Sequence, residues 1–194
     1  MAKASAVSFD RMIRAVEKVR ERLLRATRAL DKANIPYAVV GGNAVAAWVS
    51  TVDESAVRNT RDVDVLLRRG DLERTKVALE TVGFLYCNVA SLDVFLDGPT
   101  ASAKDAVHIV FASEFFRDGE PVAIPDVSAS DRAPGWNLVP LEALVQIKLT
   151  AFKDKDRTHL RDLIDVGLVD RSWLSRLEPV LSERLREILD DPLG

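Results

Sequence analysis

Two aspartates, Asp62 and Asp64, stand two positions apart at the start of the apolar run Val63–Leu67. If that run is a β-strand, both carboxylates point to one face, because side chains alternate along a strand. Neighbouring carboxylate oxygens suit a hard divalent cation such as Mg²⁺ or Mn²⁺. The alternative is a strand-edge acidic pair without a ligand, but aspartate is depleted in strands and rarely buried. The pattern therefore favours a metal site.

A glycine pair, Gly41-Gly42, follows the apolar run Tyr37–Val40 and precedes an alanine-rich segment suited to a buried helix. Glycines at a helix start let backbone N–H groups approach a phosphate at the positive end of the helix dipole. Alone, the pair is a weak turn signal. Combined with Asp62 and Asp64, it indicates a site for a metal ion and a triphosphate.

The elements that must position these residues follow from hydrophobic periodicity and turn signals. Helices are predicted over residues 8–32, with Ser8 as N-cap, and over 43–50, 71–82, 141–152, 157–166 and 172–189. Strands are predicted over residues 37–40, 63–67, 84–89, 92–96 and 107–111. Residues 114–134 are predicted to be irregular, and residues 153–156 to form a charged turn.

This order predicts an α/β (α+β) fold in which helices flank a mixed β-sheet, with an N-terminal helix and a C-terminal helical tail. We place the N-terminal helix and the α/β core in residues 1–135, and a helical segment packed on that core in residues 136–194.

Composition excludes several classes of protein. With 194 residues and 47% hydrophobic content, the chain can bury a sizeable core. The single cysteine, Cys87, cannot form an intrachain disulfide and fits a reducing cytoplasm. We expect no signal peptide, because the N-terminal segment has no apolar core of sufficient length before the charges of Asp10 and Arg11. We expect no membrane association, because glycine and proline interrupt the one long uncharged segment, residues 33–52.

A basic stripe runs along the first predicted helix, although the formal net charge of -3 argues against bulk nucleic-acid binding. Two interpretations stay open for the stripe, a solvated flank whose stems cover apolar surface or a contact with a phosphate backbone. Its members are Arg11, Arg14, Lys18, Arg22 and Arg25.

The motifs over residues 35–168 resemble the nucleotidyltransferase fold superfamily, and within it the AbiEii-type and minimal nucleotidyltransferases of bacteria. Gly41-Gly42-Asn43 is similar to the GG[ST] turn, with asparagine in place of serine or threonine. The stretch Arg58-Asn59-Thr60-Arg61-Asp62-Val63-Asp64 is similar to the R-x-T-x-D-x-D strand. Lys148 and the helix Arg161-Asp162-Leu163-Ile164-Asp165 match the later lysine and the K-D-x-x-D motif.

The resemblance implies transfer of a nucleoside monophosphate from an NTP to a hydroxyl of a small molecule, a protein or an RNA. It implies Mg²⁺ or Mn²⁺ on Asp62 and Asp64, and a possible protein partner. Related toxins act on tRNA ends. The nucleotide-binding residues carried over are Gly41, Gly42, Asn43, Arg58, Thr60 and Lys148.

Active members of this superfamily commonly supply a third carboxylate from a later strand, and here that position falls on His108. The imidazole could act as a catalytic base, as a poorer Mg²⁺ ligand, or as a structural residue. Asp93 and Asp105 are nearby carboxylates that could substitute. The alternative function is a catalytically degenerate protein that binds nucleotide and serves as a regulatory partner.

Other candidate residues have structural alternatives. Lys148 could extend its ammonium from an apolar helix to solvent. Arg161, Asp162 and Asp165 could pair with Arg157 or with each other along one helix. We expect His159 at the surface and the three tryptophans, at positions 48, 136 and 173, in the core or an interface.

Overall fold

A computed structural model describes residues 9–89, 92–102, 105–116, 119–127, 131–133 and 135–191. The helices of this part of the chain are α1 (Phe9–Lys32), α2 (Gly41–Ser50), α3 (Leu72–Glu80), α4 (Leu141–Ala151), α5 (Asp154–Asp165) and α6 (Pro179–Asp190). The strands are β1 (Tyr37–Val40), β2 (Val63–Leu67), β3 (Leu85–Val89), β4 (Leu92–Leu96), β5 (Ala106–Phe111), β6 (Asp131–Ala133) and β7 (Trp136–Leu138).

Within the described ranges, seven strands form one mixed sheet in the order β3-β4-β5-β2-β1-β7-β6. Strand β2 lies at its centre, antiparallel to β1 and parallel to β5. Asp64 is opposite Val40 on one side and His108 on the other. His108 is in turn opposite Val94 of β4, and Val94 is opposite Cys87 of β3. A single row of side chains therefore crosses five strands on one face of the sheet.

Helices cover the sheet in two layers. The face that carries Asp64 contributes Ala38, Val40 and Leu66 to a core shared with α2, α4, α5 and α6. The opposite face contributes Val65 and Phe95, among others, to a core shared with α1 and α3. Full burial of a large aliphatic or aromatic side chain contributes about 1.5–3 kcal/mol, so both layers stabilise the fold. The predicted α/β class, with a mixed sheet between helices, is confirmed.

The C-terminal helices differ from their predicted bounds. Helix α5 begins at Asp154, so most of the predicted charged turn is its first turn, where the Asp156 carboxylate accepts a hydrogen bond from the Lys153 backbone N–H. Helix α6 begins at Pro179, after a separate 3₁₀ turn over Arg171–Ser175. Proline suits the first turn of a helix but not its interior, which explains the break.

Strands β6 and β7 were not predicted. Each has three residues, and Gly135, with a φ of +92°, lies in the turn between them, so neither shows a readable alternation. Strand β7 pairs in parallel with β1, and the sheet therefore contains strands from both sides of residue 135. The division of the chain at that residue stays a prediction.

Helix α1 buries only the C-terminal part of its predicted apolar face. Leu23 and Leu30 are in the core, whereas Phe9, Ile13 and Val16 are 74%, 43% and 42% exposed. The predicted N-cap, Ser8, lies outside the described residues. The helix therefore extends beyond the sheet that it packs on.

Two members of the basic stripe on α1 are structural. Arg22 is 4% exposed and donates to the carboxylates of Asp97 and Asp105 and to the backbone carbonyl of Arg61. Arg25 also donates to Asp97. For Arg22 both predicted roles, a solvated flank and a phosphate contact, are wrong, because its buried guanidinium is held by the β4–β5 connection. Arg25 has a side chain 41% exposed that lies over the Phe84 ring, which fits the predicted solvated flank covering apolar surface.

Among the described residues, every helix is too short or too polar to span a membrane.

Candidate active site

The carboxylate of Asp64 lies directly against the backbone of Gly41, the first residue of α2. Gly41 has a φ of +67°, and a Cβ added to it would lie 1.9 Å from Asp64 Oδ2. Both the left-handed backbone and the close approach require glycine. This contact brings an acidic side chain of β2 to the N-terminal end of α2, where backbone N–H groups have no partner within the helix.

The loop before β2 is fastened to the first turn of α2. Asn43 Nδ2 donates a hydrogen bond of 2.7 Å to the backbone carbonyl of Asp62. A Cβ at Gly42 would lie 2.7 Å from Thr60 Oγ1, so the threonine packs against the helix backbone. The Asn43 amide therefore positions the segment that carries Asp62, a role that the sequence did not indicate.

A lysine ammonium and a histidine imidazole lie next to the two aspartates. Lys155 Nζ lies 3.5 Å from Asp62 Oδ2, and His108 Nδ1 lies 3.9 Å from Asp64 Oδ1. Burial raises the pKa of Asp64, while the neighbouring side chains of Lys148, His108 and Lys155 oppose that rise. A buried carboxylate with a raised pKa gains free energy from a further cation beside it.

Within the described residues, no strand supplies a third carboxylate beside Asp62 and Asp64 on this face of the sheet; Asp156 of α5 lines the same cavity as Asp64 but pairs with Lys148. Asp93 points to the opposite face, where the Tyr86 hydroxyl donates to it at 2.5 Å. Asp105 accepts from Arg22 of α1, at 3.3 Å. The expectation that either could substitute for a third carboxylate is wrong, and His108 holds that position in the row.

Lys148 brings a buried positive charge to the site from α4. Its side chain is 8% exposed, and Nζ donates a hydrogen bond of 2.7 Å to Asp156 of α5. Its ammonium is buried, so the alternative that Lys148 extends from an apolar helix to solvent is wrong. Lys148 lines a cavity of about 200 Å³ together with Gly41, Gly42 and Asp64. This placement brings three predicted nucleotide-binding residues and one predicted metal ligand to one cavity.

Helix α5 contributes a face that the sequence analysis missed. Lys155, His159 and Asp162, spaced i, i+4 and i+7, line a second cavity of about 350 Å³ between α5, α2 and the loop before β2. His159 is 8% exposed, so its predicted surface location is wrong. Arg58 Nε donates to Asp162 Oδ1 at 2.7 Å, which ties the loop to α5. Asp162 thus pairs across the cavity and not along its own helix.

The two cavities meet at Gly42 and Lys155, which line both. Thr60 and Arg58 lie in the larger cavity, and Asp64 and Lys148 in the smaller one. The site is therefore an extended groove along the start of α2, lined by both cationic and acidic side chains, with Asp62 in one cavity and Asp64 in the other. A chain of phosphates has the shape and charge that such a groove accepts.

Sequence comparison gives no family for the chain. No family model matches it, and no curated protein matches it in sequence.

Comparison with solved structures does find relatives of the fold. An antigenic nucleotidyltransferase-like protein from Paracoccidioides brasiliensis is 17% identical, with a TM-score of 0.58, over 92% of this chain and 90% of that protein. A putative nucleotidyltransferase from H. pylori is 17% identical, with a TM-score of 0.51, over 96% and 79% of the two chains. The antibiotic-resistance factor ANT(2'')-Ia is 11% identical, with a TM-score of 0.50, over 93% and 92%.

These similarities show that the chain has the nucleotidyltransferase fold, as the sequence motifs predicted. The more specific resemblance to AbiEii-type proteins stays a prediction, because identities of 11–17% establish the fold alone.

Proposed function

We propose that this protein is a metal-dependent nucleotidyltransferase, which moves a nucleoside monophosphate from an NTP to a hydroxyl group. The observation that carries the proposal is the contact of the Asp64 carboxylate with Gly41 at the start of α2. It joins a candidate metal ligand to a candidate phosphate-binding backbone in one place. The nucleotidyltransferase fold supports the same reaction class.

The residues present fit a divalent cation. Asp62 and Asp64 would hold Mg²⁺ or Mn²⁺, and Lys155 Nζ already lies 3.5 Å from Asp62 Oδ2 as a cationic neighbour. Within the described residues no cluster of three or more acidic, histidine or cysteine side chains is built to hold a metal. Mg²⁺ does not need one, because it commonly uses one or two carboxylates with water and substrate phosphates. When bound, the ion would neutralise charge on the triphosphate and polarise its phosphoryl oxygens.

The remaining groups of the groove bind and orient the nucleotide. Backbone N–H groups in the first turn of α2 would donate to phosphate oxygens, where the helix dipole also favours negative charge. Lys148 and Arg58 would add charge from opposite ends of the groove, although each also holds an ion pair within the protein. Asn43 supports this arrangement indirectly by fixing the loop that carries Asp62.

His108 is our candidate for the group that takes the acceptor's proton. Its side chain is 31% exposed, so an acceptor can reach it, and it lies beside Asp64 in the row across the sheet. The acceptor oxygen would form a bond to the α-phosphorus while the bond from that phosphorus to the bridging oxygen breaks. Pyrophosphate leaves with the electron pair, and the acceptor proton passes to the imidazole.

The acceptor class within this proposal is a small molecule, a protein or an RNA, including a tRNA end. The exposed members of the basic stripe on α1 lie outside the site and would contact the phosphate backbone of an RNA acceptor. They are Arg11, Arg14 and Lys18. A toxin-like activity is part of the same hypothesis.

Transfer of label tests the proposal. The protein is incubated with each α-³²P-labelled NTP and Mg²⁺, alone and with cellular RNA, protein or small-molecule extracts. We expect label on one acceptor class and a loss of about 10²–10³-fold in Asp64→Asn, because one metal ligand carries several kcal/mol. Asp10→Asn, at the exposed start of α1, is the matched control and should keep full activity.

A second candidate is a nucleotide-binding regulatory protein without turnover. It is favoured by one observation, that in the described chain only His108 occupies the third-carboxylate position. In that case no label moves under any condition, while NTP still binds and Asp64→Asn abolishes the binding.

A further inference from the structure

We propose that His159 is a phosphate-binding residue, which forms with Lys155 and Thr60 a subsite for the terminal phosphate of the NTP. The subsite is the larger cavity, between α2, α5 and the loop before β2. This inference rests on the proposed function, since it assigns a further part of the same substrate.

Two residues that line this cavity each carry a buried polar atom without a hydrogen-bond partner. His159 is 8% exposed, and its Nδ1 has no hydrogen-bond partner in the protein. Thr60 Oγ1 is likewise buried without a partner. A buried polar atom left unpaired costs about 1–3 kcal/mol, so two of them on one cavity indicate a ligand that satisfies both.

The cavity offers hydrogen-bond donors, and this determines the class of ligand. Lys155 and Arg61 line it with positive charge, and Arg58 lies beside them. Its two carboxylates are already engaged, because Asp162 accepts from Arg58 and Asp62 lies within 3.5 Å of Lys155. What remains are hydroxyl, ammonium and guanidinium donors. An anion with several acceptor oxygens matches that set.

The charge state of the imidazole suits this role. Burial lowers the pKa of His159 to about 4, and the nearby charges of Lys148, Lys155 and Arg58 add to that shift. The ring is therefore neutral at physiological pH and keeps one N–H group, which can donate to a phosphate oxygen.

Continuity with the catalytic groove identifies the phosphate as the terminal one. Gly42 and Lys155 line both cavities, and the smaller cavity contains Asp64. A triphosphate whose α-phosphate lies at the aspartates can therefore pass over the first turn of α2 and end beside His159. A nucleobase against the apolar side of α2 is the competing occupant, and the experiment distinguishes the two.

Binding of inorganic tripolyphosphate with Mg²⁺, measured by calorimetry, tests the inference without turnover. We expect His159→Gln to weaken this binding about 10-fold or more, since the amide can replace Nε2 but leaves the Nδ1 position without a hydrogen-bonding atom. Lys155→Gln should show a similar loss. The matched controls are Thr158→Ala, next to His159 but outside the cavity, and Lys32→Gln, an exposed lysine at the end of α1. Both should bind as the unmodified protein does.

A second measurement covers the case in which His159→Gln fails to fold. In ¹⁵N-labelled unmodified protein, the His159 side-chain nitrogen signals should shift on addition of tripolyphosphate and not on addition of a nucleoside.

Three results would overturn the inference: no binding of tripolyphosphate, equal binding by His159→Gln, or a His159 response to nucleoside alone. The last would assign the cavity to the base. If tripolyphosphate binds through His159 but no label is ever transferred, the inference stands and the proposed function fails. If label is transferred and His159→Gln binds normally, the function stands and the inference fails.

Discussion

At the scale of single residues, the site depends on Gly41 having no side chain. Gly41 leaves room for the Asp64 carboxylate, and its left-handed backbone lets α2 begin immediately after β1. A sequence motif can predict that these residues lie together, but it cannot show that one carboxylate oxygen fills the position of a Cβ.

Gly41→Ala should therefore remove activity while the fold survives. The new methyl group would displace the Asp64 carboxylate, and a φ of +67° would cost about 1–2 kcal/mol in folding stability. We expect transfer, or NTP binding if there is no turnover, to fall by at least about 10²-fold, the scale of a lost metal ligand. Gly70→Ala is the control, because nothing lies within 4 Å of a Cβ at that position. Equal activity of the two variants would contradict this account of Gly41.

His159 should make the stability of the protein depend on pH. Its pKa is about 4 in the folded protein and near 6.5 in the unfolded chain, so the unfolded state binds the proton more readily. The stabilisation is complete above pH 6.5 and is lost as the pH falls towards 4. Linkage gives a loss of about 2 kcal/mol between pH 7 and pH 5.

Urea unfolding at both pH values measures this effect. The carboxylates also contribute to the pH dependence, so the relevant quantity is the difference between the unmodified protein and His159→Gln. The variant should lack about 2 kcal/mol of the pH-dependent loss. An identical pH dependence in both proteins would show that the imidazole is not held neutral by burial.

At the scale of elements, helices α4 and α5 are joined by one buried ion pair. Lys148 is 6% exposed and Asp156 is 7% exposed. The pair links α4, which contributes Lys148 to the smaller cavity, to α5, which lines the larger one. A buried pair adds little over apolar packing, but breaking it leaves an uncompensated charge.

Asp156→Ala should therefore destabilise the protein by about 3–5 kcal/mol, because the Lys148 ammonium is then buried without a partner. The double variant Lys148→Met with Asp156→Leu should recover most of that loss in urea unfolding. The control is Lys76→Met, which breaks an ion pair with Glu73, a residue 82% exposed, and should cost less than about 1 kcal/mol. A loss in the double variant as large as in the single one would contradict the argument.

The elements that the sequence predicted closely are short apolar runs with clear ends and one strongly amphipathic helix. Strands β1, β2 and β4 are such runs, and helix α1 carries its apolar residues on one face. Helix α5 was misjudged at its start because four charged residues looked like a turn. That error removed Lys155 from the helix, and with it the i, i+4 relation to His159 that would have pointed to a shared face. The sequence also could not predict on which face of the sheet Asp93 and Asp105 lie, because that depends on strand pairing.

At the scale of the whole molecule, the site collects residues from position 40 to position 162 at one end of the central strands β1 and β2. The sequence predicted the fold and the part of the site on α2 and β2, because that part lies in contiguous motifs. The contribution of α5 depends on how the C-terminal helices pack over the Asp64 face, and no local pattern encodes that packing.

The row of side chains across the sheet also ends at a useful position. Cys87, the only cysteine of the sequence, is on the same face as Asp64 and three strand spacings away, roughly 15 Å at about 4.8 Å per strand. A thiol-reactive fluorophore can therefore be attached at one defined place without engineering the chain. A change in its emission would report in real time that an acceptor has bound over β4 and β5, whether or not a nucleoside monophosphate is transferred to it.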